Sequence, residues 1–314
     1  MAKAKEITGL DCAADALEWA AEVLRVRFDE VIALREAALD FSDIEGVHSM
    51  RVATRRLRSA LRDFMPLMKK HRLQNAREDL KEIAAALGAV RDHDVAIVAL
   101  ETLQIKAKSA LINDGIGVLI EERRRQREDA RRNLAKTLDR DRLDRIQKRF
   151  QNALTKAVKP GKSADRISFN KAGRDLTADG WRELQQLGSS LYAPFRVEEI
   201  HEMRIAAKRL RYAIELFVAC WGEKISPFAN EISKMQTFLG ELHDCDVWIE
   251  ELGARLQNSL QNGKESENDY QSATWLLSEF VKKRTKEYFA ALKLWNEWQT
   301  NDFAGRMQKA IQDA

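Results

Sequence analysis

The sequence contains one helical pattern twice, and this duplication limits the fold more than any other feature. Residues 47–64, VHSMRVATRRLRSALRDF, match residues 200–217, IHEMRIAAKRLRYAIELF, at an offset of 153. A second match, LGAVRDHDV at 87–95 against LGELHDCDV at 239–247, follows in the same order at an offset of 152. Matches in one order at a nearly constant offset predict a duplicated unit of about 155 residues.

A third and weaker match sets RRRQR at 123–127 beside KKRTK at 282–286, with a register uncertain by one residue. The matches predict two domains, a first helical repeat over 1–160 and a second over 161–314, with a linker at 159–168. Two similar units in one chain favour packing about a pseudo-two-fold axis, with a surface shared between them.

The spacing of apolar residues is helical almost throughout. They recur at steps of three and four, and no segment of useful length alternates with period two. Glycine and proline, at 14 and 4 residues of 314, are too rare for the many turns of a sheet protein. The sequence therefore predicts an all-α fold of helical bundles, with a loop at 262–269. All four prolines lie at predicted helix breaks: Pro66, Pro160, Pro194 and Pro227.

Composition argues against several classes of protein. No stretch of about 18 apolar residues could span a membrane, and the N-terminus lacks the apolar segment of a signal peptide. The three scattered cysteines, Cys12, Cys220 and Cys245, are too few for a disulfide framework or a zinc cluster and fit a reducing compartment. We expect a soluble cytoplasmic protein without a metal or cofactor, and a net charge of +4 indicates no partner by itself.

Each copy of the pattern places two faces side by side on one helix. The first face, the apolar seam, predicts the buried side of the helix. Its members are Val47, Met50, Thr54, Leu57, Leu61 and Phe64 in the first copy and Ile200, Met203, Ala207, Leu210, Ile214 and Phe217 in the second. The second face, the basic stripe, comprises His48, Arg51, Arg55, Arg58 and Arg62, and then His201, Arg204, Lys208 and Arg211, with Glu215 in place of Arg62. Arg56 is predicted to point to solvent.

The first copy holds five arginines between positions 51 and 62 with no acid among them. Because like charges at i,i+4 repel by a few tenths of a kcal/mol per pair, such a stripe needs either acidic neighbours or an anion. Members about 5 Å apart along the axis can line up on a linear polyanion, and guanidinium forks suit phosphate oxygens. A lone stripe favours a solvated face with ion pairs to other helices, whereas duplication in register favours anion binding.

His48 and His201 lie at equivalent positions, each three residues before an arginine on the same face. A single histidine beside an apolar seam is usually structural, but a duplicated one favours a role at the stripe. A neutral imidazole can donate a hydrogen bond to phosphate, and a nearby polyanion would raise its pKa. Metal ligation is the other option, although neither helix carries a second histidine at i+4.

Both copies together resemble the CHAD family, helical domains named for their conserved histidines. The motifs that carry the likeness are VHSMRVATRRLRSALRDF with LGAVRDHDV, and IHEMRIAAKRLRYAIELF with LGELHDCDVW. The resemblance implies two tandem four-helix-bundle-like repeats around a basic central groove that binds inorganic polyphosphate without known catalysis. By position, the ligand-facing residues it implies are His48, Arg51, Arg55, Arg58, His201, Arg204, Lys208 and Arg211.

The second copy departs from the first at three informative positions. Arg91 becomes His243, His93 becomes Cys245, and Arg62 becomes Glu215. The two halves are therefore expected to contribute unequally to binding.

Aspartates of the second motif have three possible roles. Asp94 and Asp246 precede apolar runs, which favours helix N-caps. They could instead hold basic side chains of the stripe through charged hydrogen bonds. The dipeptides His93-Asp94 and His243-Asp244 suggest a metal site, but they lie at different positions of the repeat, so neither copy preserves the ligands of the other.

A third basic cluster covers too many helix angles for one face, so some of its residues must be solvent-facing. Its members are Arg123, Arg124, Arg125, Arg127, Arg131 and Arg132. Lys282 and Lys283 correspond to Arg123 and Arg124, and we predict that these four line the wall of the groove. The tryptophans of the second half, Trp275, Trp295 and Trp298 among them, are predicted to be core or interface residues.

The leading functional hypothesis is a non-enzymatic module that binds inorganic polyphosphate, with location at polyphosphate granules as an extension. Nucleic-acid binding is less favoured, because the stripes carry almost no aromatic residues on which bases could stack. A metal-dependent phosphohydrolase acting on polyphosphate or nucleotides is a further alternative, as is a scaffold for an acidic protein.

Overall fold

A computed structural model describes residue 7 and residues 9–158, 166–262 and 267–313. Within these ranges the chain is helical or lies in short connections, and extended pairing is limited to an isolated bridge between Asp15 and Ser168. The predicted all-α fold is confirmed. Most of the predicted linker, 159–165, and half of the predicted loop, 263–266, lie outside the described residues.

Long helices make up most of the described chain. In order they are α1 (Ala16–Ala33), α2 (Arg35–Leu39), α3 (Ile44–Phe64), α4 (Gln74–Gln104), α5 (Ala110–Thr137), α6 (Arg140–Ala157), α7 (Phe169–Leu187), α8 (Val197–Trp221), α9 (Ser226–Asn262), α10 (Glu267–Thr300) and α11 (Phe303–Gln312). Pro66 lies in the 3-10 turn after α3, and Pro227 lies in the first turn of α9, where proline is tolerated. Of the loop predicted at 262–269, Asn262 belongs to α9 and residues 267–269 belong to α10.

The chain divides into two compact units. Unit 1 comprises Met1–Ala96 and Arg123–Leu176, and unit 2 comprises Ile97–Glu122 and Thr177–Ala314. Both units are discontinuous in sequence, so they differ in extent from the predicted repeats 1–160 and 161–314. The repeat boundary and the pseudo-two-fold relation stay predictions.

Unit 1 is built around α3. Its apolar seam, at most 2% exposed from Val47 to Phe64, packs against α1, and α1 in turn contacts α6. Phe28 of α1 stacks on Phe150 of α6 with ring centroids 4.3 Å apart. The short helix α2 approaches α3 so closely that a Cβ at Gly46 would lie 1.8 Å from the carbonyl oxygen of Ala37. Only glycine allows this approach, which positions the first turn of the stripe-bearing helix.

Unit 2 is built around α8. The seam from Ile200 to Phe217 is at most 1% exposed, α8 packs against α9, and α9 packs against α10. Trp295 and Trp298, both 4% exposed, lie against Trp181. Their predicted place in the core is confirmed, as is burial of the apolar seam in both units. Burial of each Val, Leu, Ile, Phe or Met side chain of the seams contributes about 1.5–3 kcal/mol to the stability of the fold.

Candidate anion-binding site

The basic stripe of α3 runs along the edge of its buried seam. Asp43 caps the helix by accepting from the backbone N–H of Glu45 at 2.9 Å, so the stripe begins in the second turn. His48, Arg51 and Arg55 are half-buried, and Arg58 is exposed. Half-burial lets the aliphatic stems pack beside the core, and the Nε of Arg55 is itself enclosed.

The other arginines of α3 are Arg56 and Arg62. Arg62 donates to Asp63 Oδ1 at 2.6 Å and to Ser59 Oγ at 3.1 Å, so its charge is balanced locally. Arg56, which was predicted to point to solvent, is half-buried with its Nε enclosed, as is Arg55 of the stripe. The reason is that α3 is covered beyond its apolar seam, as the burial of Val52 at 3% exposure indicates.

The stripe of α8 has the same placement at its first three positions. His201, Arg204 and Lys208 are half-buried beside a buried seam, at the spacing of His48, Arg51 and Arg55. Two helices in two units therefore present one sequence of an imidazole followed by cations at i+3 and i+7.

Arg211 is the exception among the predicted ligand-facing residues, because it is 3% exposed. Its Nη1 donates to Glu215 one turn later, and its Nε donates to Gln236 Oε1 at 2.7 Å. The guanidinium also lies over the ring of Tyr212 at 4.5 Å. Glu215 stands where the first copy has Arg62, and this exchange supplies the partner that holds Arg211 inward. We therefore leave Arg211 out of the candidate site.

The prediction that Asp94 and Asp246 cap helices is wrong. Asp94 lies in the interior of α4, which runs from Gln74 to Gln104, and Asp246 lies in the interior of α9. The apolar runs after these aspartates continue the helices instead of starting new ones.

These aspartates instead bind arginines of neighbouring helices. Asp94, 2% exposed, accepts from Arg127 Nη1 at 3.4 Å, and Asp246 accepts from Arg284 Nε. Asp92, one position before the histidine, is exposed and pairs with Arg51 of the stripe at 3.4 Å. The alternative role, in which an acid holds a basic side chain of the stripe, is found for Asp92, whereas Asp94 and Asp246 hold arginines outside the stripe.

One arginine of unit 2 contacts both an aspartate and a backbone carbonyl, whereas two arginines share these contacts in unit 1. In unit 2, Arg284 bonds Asp246 and also donates to the carbonyl oxygen of Pro194 at 2.8 Å. In unit 1, Arg127 takes the aspartate, and Arg131 donates to the carbonyl oxygen of Phe41 at 3.4 Å. Arg284 shares the aspartate contact with Arg127, at an offset of 157, and the carbonyl contact with Arg131, at an offset of 153, whereas the motif match gives 159. These contacts therefore do not select a single register for the cluster.

The four residues predicted for the groove wall lie mostly at the surface with polar partners. Arg123 is half-buried and donates to Gln126 at 3.4 Å, and Arg124 is exposed. Lys282 pairs with Glu279, and Lys283 pairs with Glu241 of α9, each at 2.6 Å. Both lysines are thus partly balanced within unit 2, and their part in a groove stays a prediction.

Burial and neighbouring cations lower the pKa values of the histidines in both units. Burial and the charge of Arg91 lower the pKa of His48, and burial and the charge of Arg123 lower that of His93. Burial and the charge of Arg204 likewise lower the pKa of His201. Each imidazole is therefore neutral near pH 7, mainly because burial disfavours its charged form.

His243 lies beside the basic stripe of α8, although the motif comparison treated it only as a difference from the first copy. Its Nδ1 lies 3.1 Å from Nδ1 of His201, with ring centroids 4.3 Å apart. Burial, with Arg204 as the next contribution, lowers its pKa to about 4. The corresponding position in unit 1 is Arg91, which also acts on the stripe histidine. The signal that could have identified it is this equivalence in the repeat.

Cys245 corresponds to His93 but turns inward. It is 1% exposed, and burial raises the pKa of its thiol to about 12. Among the residues that the structure describes, no three His, Cys, Asp or Glu side chains are grouped to hold a metal ion, so neither His-Asp dipeptide lies in such a group. None of the described helices has the length and apolarity needed to cross a bilayer.

Comparison of the chain with known protein families finds one match. A CHAD domain family model matches residues 22–253, about three quarters of the chain. The chain belongs to the CHAD domain family. The match contains both stripe-bearing helices and ends before α10, which carries Lys282, Lys283 and Arg284.

Solved structures extend the likeness to nearly the whole CHAD chain. The crystal structure of the CHAD domain from the plant Ricinus communis superposes with a TM-score of 0.71 at 20% identity, covering 94% of this chain and 96% of that one. PptA from Streptomyces chartreusis gives a TM-score of 0.66 at 14% identity, covering 90% and 100%. At these identities the two structures establish the fold alone. A comparison with curated proteins finds no match.

Proposed function

We propose that this CHAD domain binds inorganic polyphosphate through the basic stripes of α3 and α8, as a binding module without catalysis. The observation that carries the proposal is the repetition of one cationic ladder in two units. His48, Arg51 and Arg55 are half-buried along one buried seam, and His201, Arg204 and Lys208 are half-buried along the other. Family membership supports the choice of ligand, since the CHAD likeness implies polyphosphate.

The chemistry of the stripes suits a linear chain of phosphates. Successive cations rise about 5 Å along each helix, so a polymer can meet several of them with successive anionic groups. Charge-assisted hydrogen bonds contribute about 1.5–3 kcal/mol each before solvent screening lowers that figure at exposed positions. After burial, the charges of Arg91 and Arg204 are the next causes that lower the pKa values of His48 and His201, and a bound anion would offset this cationic contribution. Binding to a dense polyanion is expected to weaken steeply with salt.

The decisive experiment removes one arginine from each stripe. We expect Arg51→Ala with Arg204→Ala to weaken polyphosphate binding at least tenfold and to reduce its salt dependence, with the fold intact by circular dichroism. Arg25→Ala with Arg182→Ala is the matched control, because it removes the same charge from exposed arginines of α1 and α7 that pair within their own helices. Equal affinities in the two double variants would remove the stripes from the mechanism.

Three further measurements test the proposal and its alternatives. Competition by RNA or DNA of equal charge would have to be weaker than competition by polyphosphate, and equal displacement would contradict the proposed specificity. Release of phosphate from polyphosphate with added Mg²⁺ or Mn²⁺, lost in Asp94→Asn, would replace the binding module with a hydrolase. In cells, association with polyphosphate granules should disappear with the double stripe variant.

A further inference from the structure

We propose that His201 and His243 together form a proton-accepting contact for a phosphate group, so that polyanion binding takes up a proton and strengthens as the pH falls. This inference rests on the proposed function and adds to it a residue, His243, and a regulation. The observation behind it is the direct approach of the two rings in unit 2.

The geometry defines the protonation state of the pair. With the Nδ1 atoms 3.1 Å apart, one ring donates an N–H and the other accepts with its lone pair. The accepting ring then carries its proton on Nε2, which is a donor. The donating ring has a bare Nε2, whose lone pair repels a phosphate oxygen. The neutral pair therefore offers a phosphate one donor and one repulsive acceptor.

A single added proton corrects this mismatch. Protonation of the bare Nε2 leaves the shared Nδ1–H···Nδ1 contact intact and gives both rings an Nε2–H. The pair then carries one positive charge and two donors, matching an anionic ligand with several acceptor oxygens. The proton comes from solvent, and no bond other than N–H is made or broken.

Burial is the main reason why the proton is absent without a ligand, and the surrounding charges add to it. From α8, Arg204 and Lys208 repel the proton, while Glu202 attracts it at His201. From α9, Asp244 follows His243 directly, and Glu241 one turn earlier is engaged by Lys283 of α10 at 2.6 Å. Cations thus dominate this half-buried position, and a bound phosphate would supply the missing counter-charge.

Unit 1 provides the natural comparison. Arg91 occupies the position of His243, and its charge acts on His48 as that of His243 would act on His201. Because arginine is always charged, the unit 1 contact needs no proton. The substitution His243→Arg therefore converts the unit 2 pair into the unit 1 pair.

The test is calorimetric titration of the full chain with long-chain polyphosphate near pH 8 and pH 5.5, in buffers of different ionisation enthalpy. Long chains are used because only the terminal phosphates titrate near neutrality. If the pKa of the pair moves from about 4 to its ordinary value of about 6.5 on binding, the affinity rises about tenfold between these pH values. We expect His243→Arg to bind at pH 8 at least as tightly as wild type, and with less proton uptake.

His243→Gln is expected to lose the same proton uptake without gaining affinity at pH 8. His201→Gln removes the partner ring and carries the same comparison if a variant at position 243 does not fold. His48 and His93 titrate in every variant, so only the difference from wild type is read. Equal proton uptake by wild type and the folded variants overturns the proposal even if binding is tight. Absence of polyphosphate binding by wild type at both pH values rejects the proposed function itself.

Discussion

Replacing Asp246 by asparagine is expected to lower the free energy of unfolding by about 3 kcal/mol. The side chains of Asp246 and Arg284 are 11% and 12% exposed, and they bond one another directly. Asparagine keeps the volume and one acceptor but removes the charge, so Arg284 stays buried without a counter-ion. Breaking a buried ion pair in this way costs about 3–5 kcal/mol. The lower end applies because Pro194 still accepts from Arg284.

The same substitution separates this role from that of a helix cap. Asparagine is as good an N-cap as aspartate, so a capping Asp246 would tolerate the change with almost no loss. Only the interhelical pair between α9 and α10 predicts a large effect.

The assay is urea unfolding of the full chain, followed by circular dichroism. Glu279→Gln is the control, because its partner Lys282 is exposed and such pairs contribute at most about 1 kcal/mol. Combining Asp246→Asn with Arg284→Met should restore much of the loss, since no charge is then buried. A stability of Asp246→Asn within about 0.5 kcal/mol of wild type would refute the reasoning.

Three more predictions concern stability. Thr54 is 0% exposed and its Oγ1 has no partner among the described residues, so Thr54→Val should stabilise by about 1 kcal/mol, and a lower melting temperature would contradict this. Gly46→Ala should destabilise by about 1–3 kcal/mol in urea unfolding, since its Cβ would meet the backbone of α2, whereas Gly88→Ala, whose Cβ meets nothing closer than 4.0 Å, should stabilise slightly. Since the pKa of His243 is about 4 when folded and about 6.5 when unfolded, the unfolded chain binds more protons between these values. The melting temperature should therefore fall as the pH drops from about 6.5 to 4, and it should fall less in His243→Gln.

Helical periodicity and duplication were sufficient to predict the apolar seams and the helices that carry the stripes. Burial of both seams follows from spacing alone, because a residue at every third or fourth position lies on one side of a helix. The half-burial of His48 and Arg51 follows from the same angles, since these positions border the seam. Duplication of the basic stripe favoured anion binding, an inference that a single copy would have left open.

Contacts between distant segments could not be predicted in the same way. Asp94 precedes an apolar run, and nothing nearby in the sequence distinguishes a cap from an interior acid whose partner, Arg127, lies 33 residues away. Arg211 had a visible partner in Glu215 at i+4, but its second partner, Gln236, lies 25 residues further along the chain. The pattern of one helix therefore predicts where a charge lies, but it does not predict which residues of neighbouring helices neutralise that charge.

The two ways in which the units distribute their arginine contacts also affect how each unit can accumulate mutations. In unit 1, loss of Arg127 or Arg131 removes one connection and leaves the other in place. In unit 2, a single codon change at Arg284 removes both connections together. Natural or laboratory evolution of this chain would therefore meet a narrower set of permitted substitutions at position 284 than at either of the two arginines of unit 1.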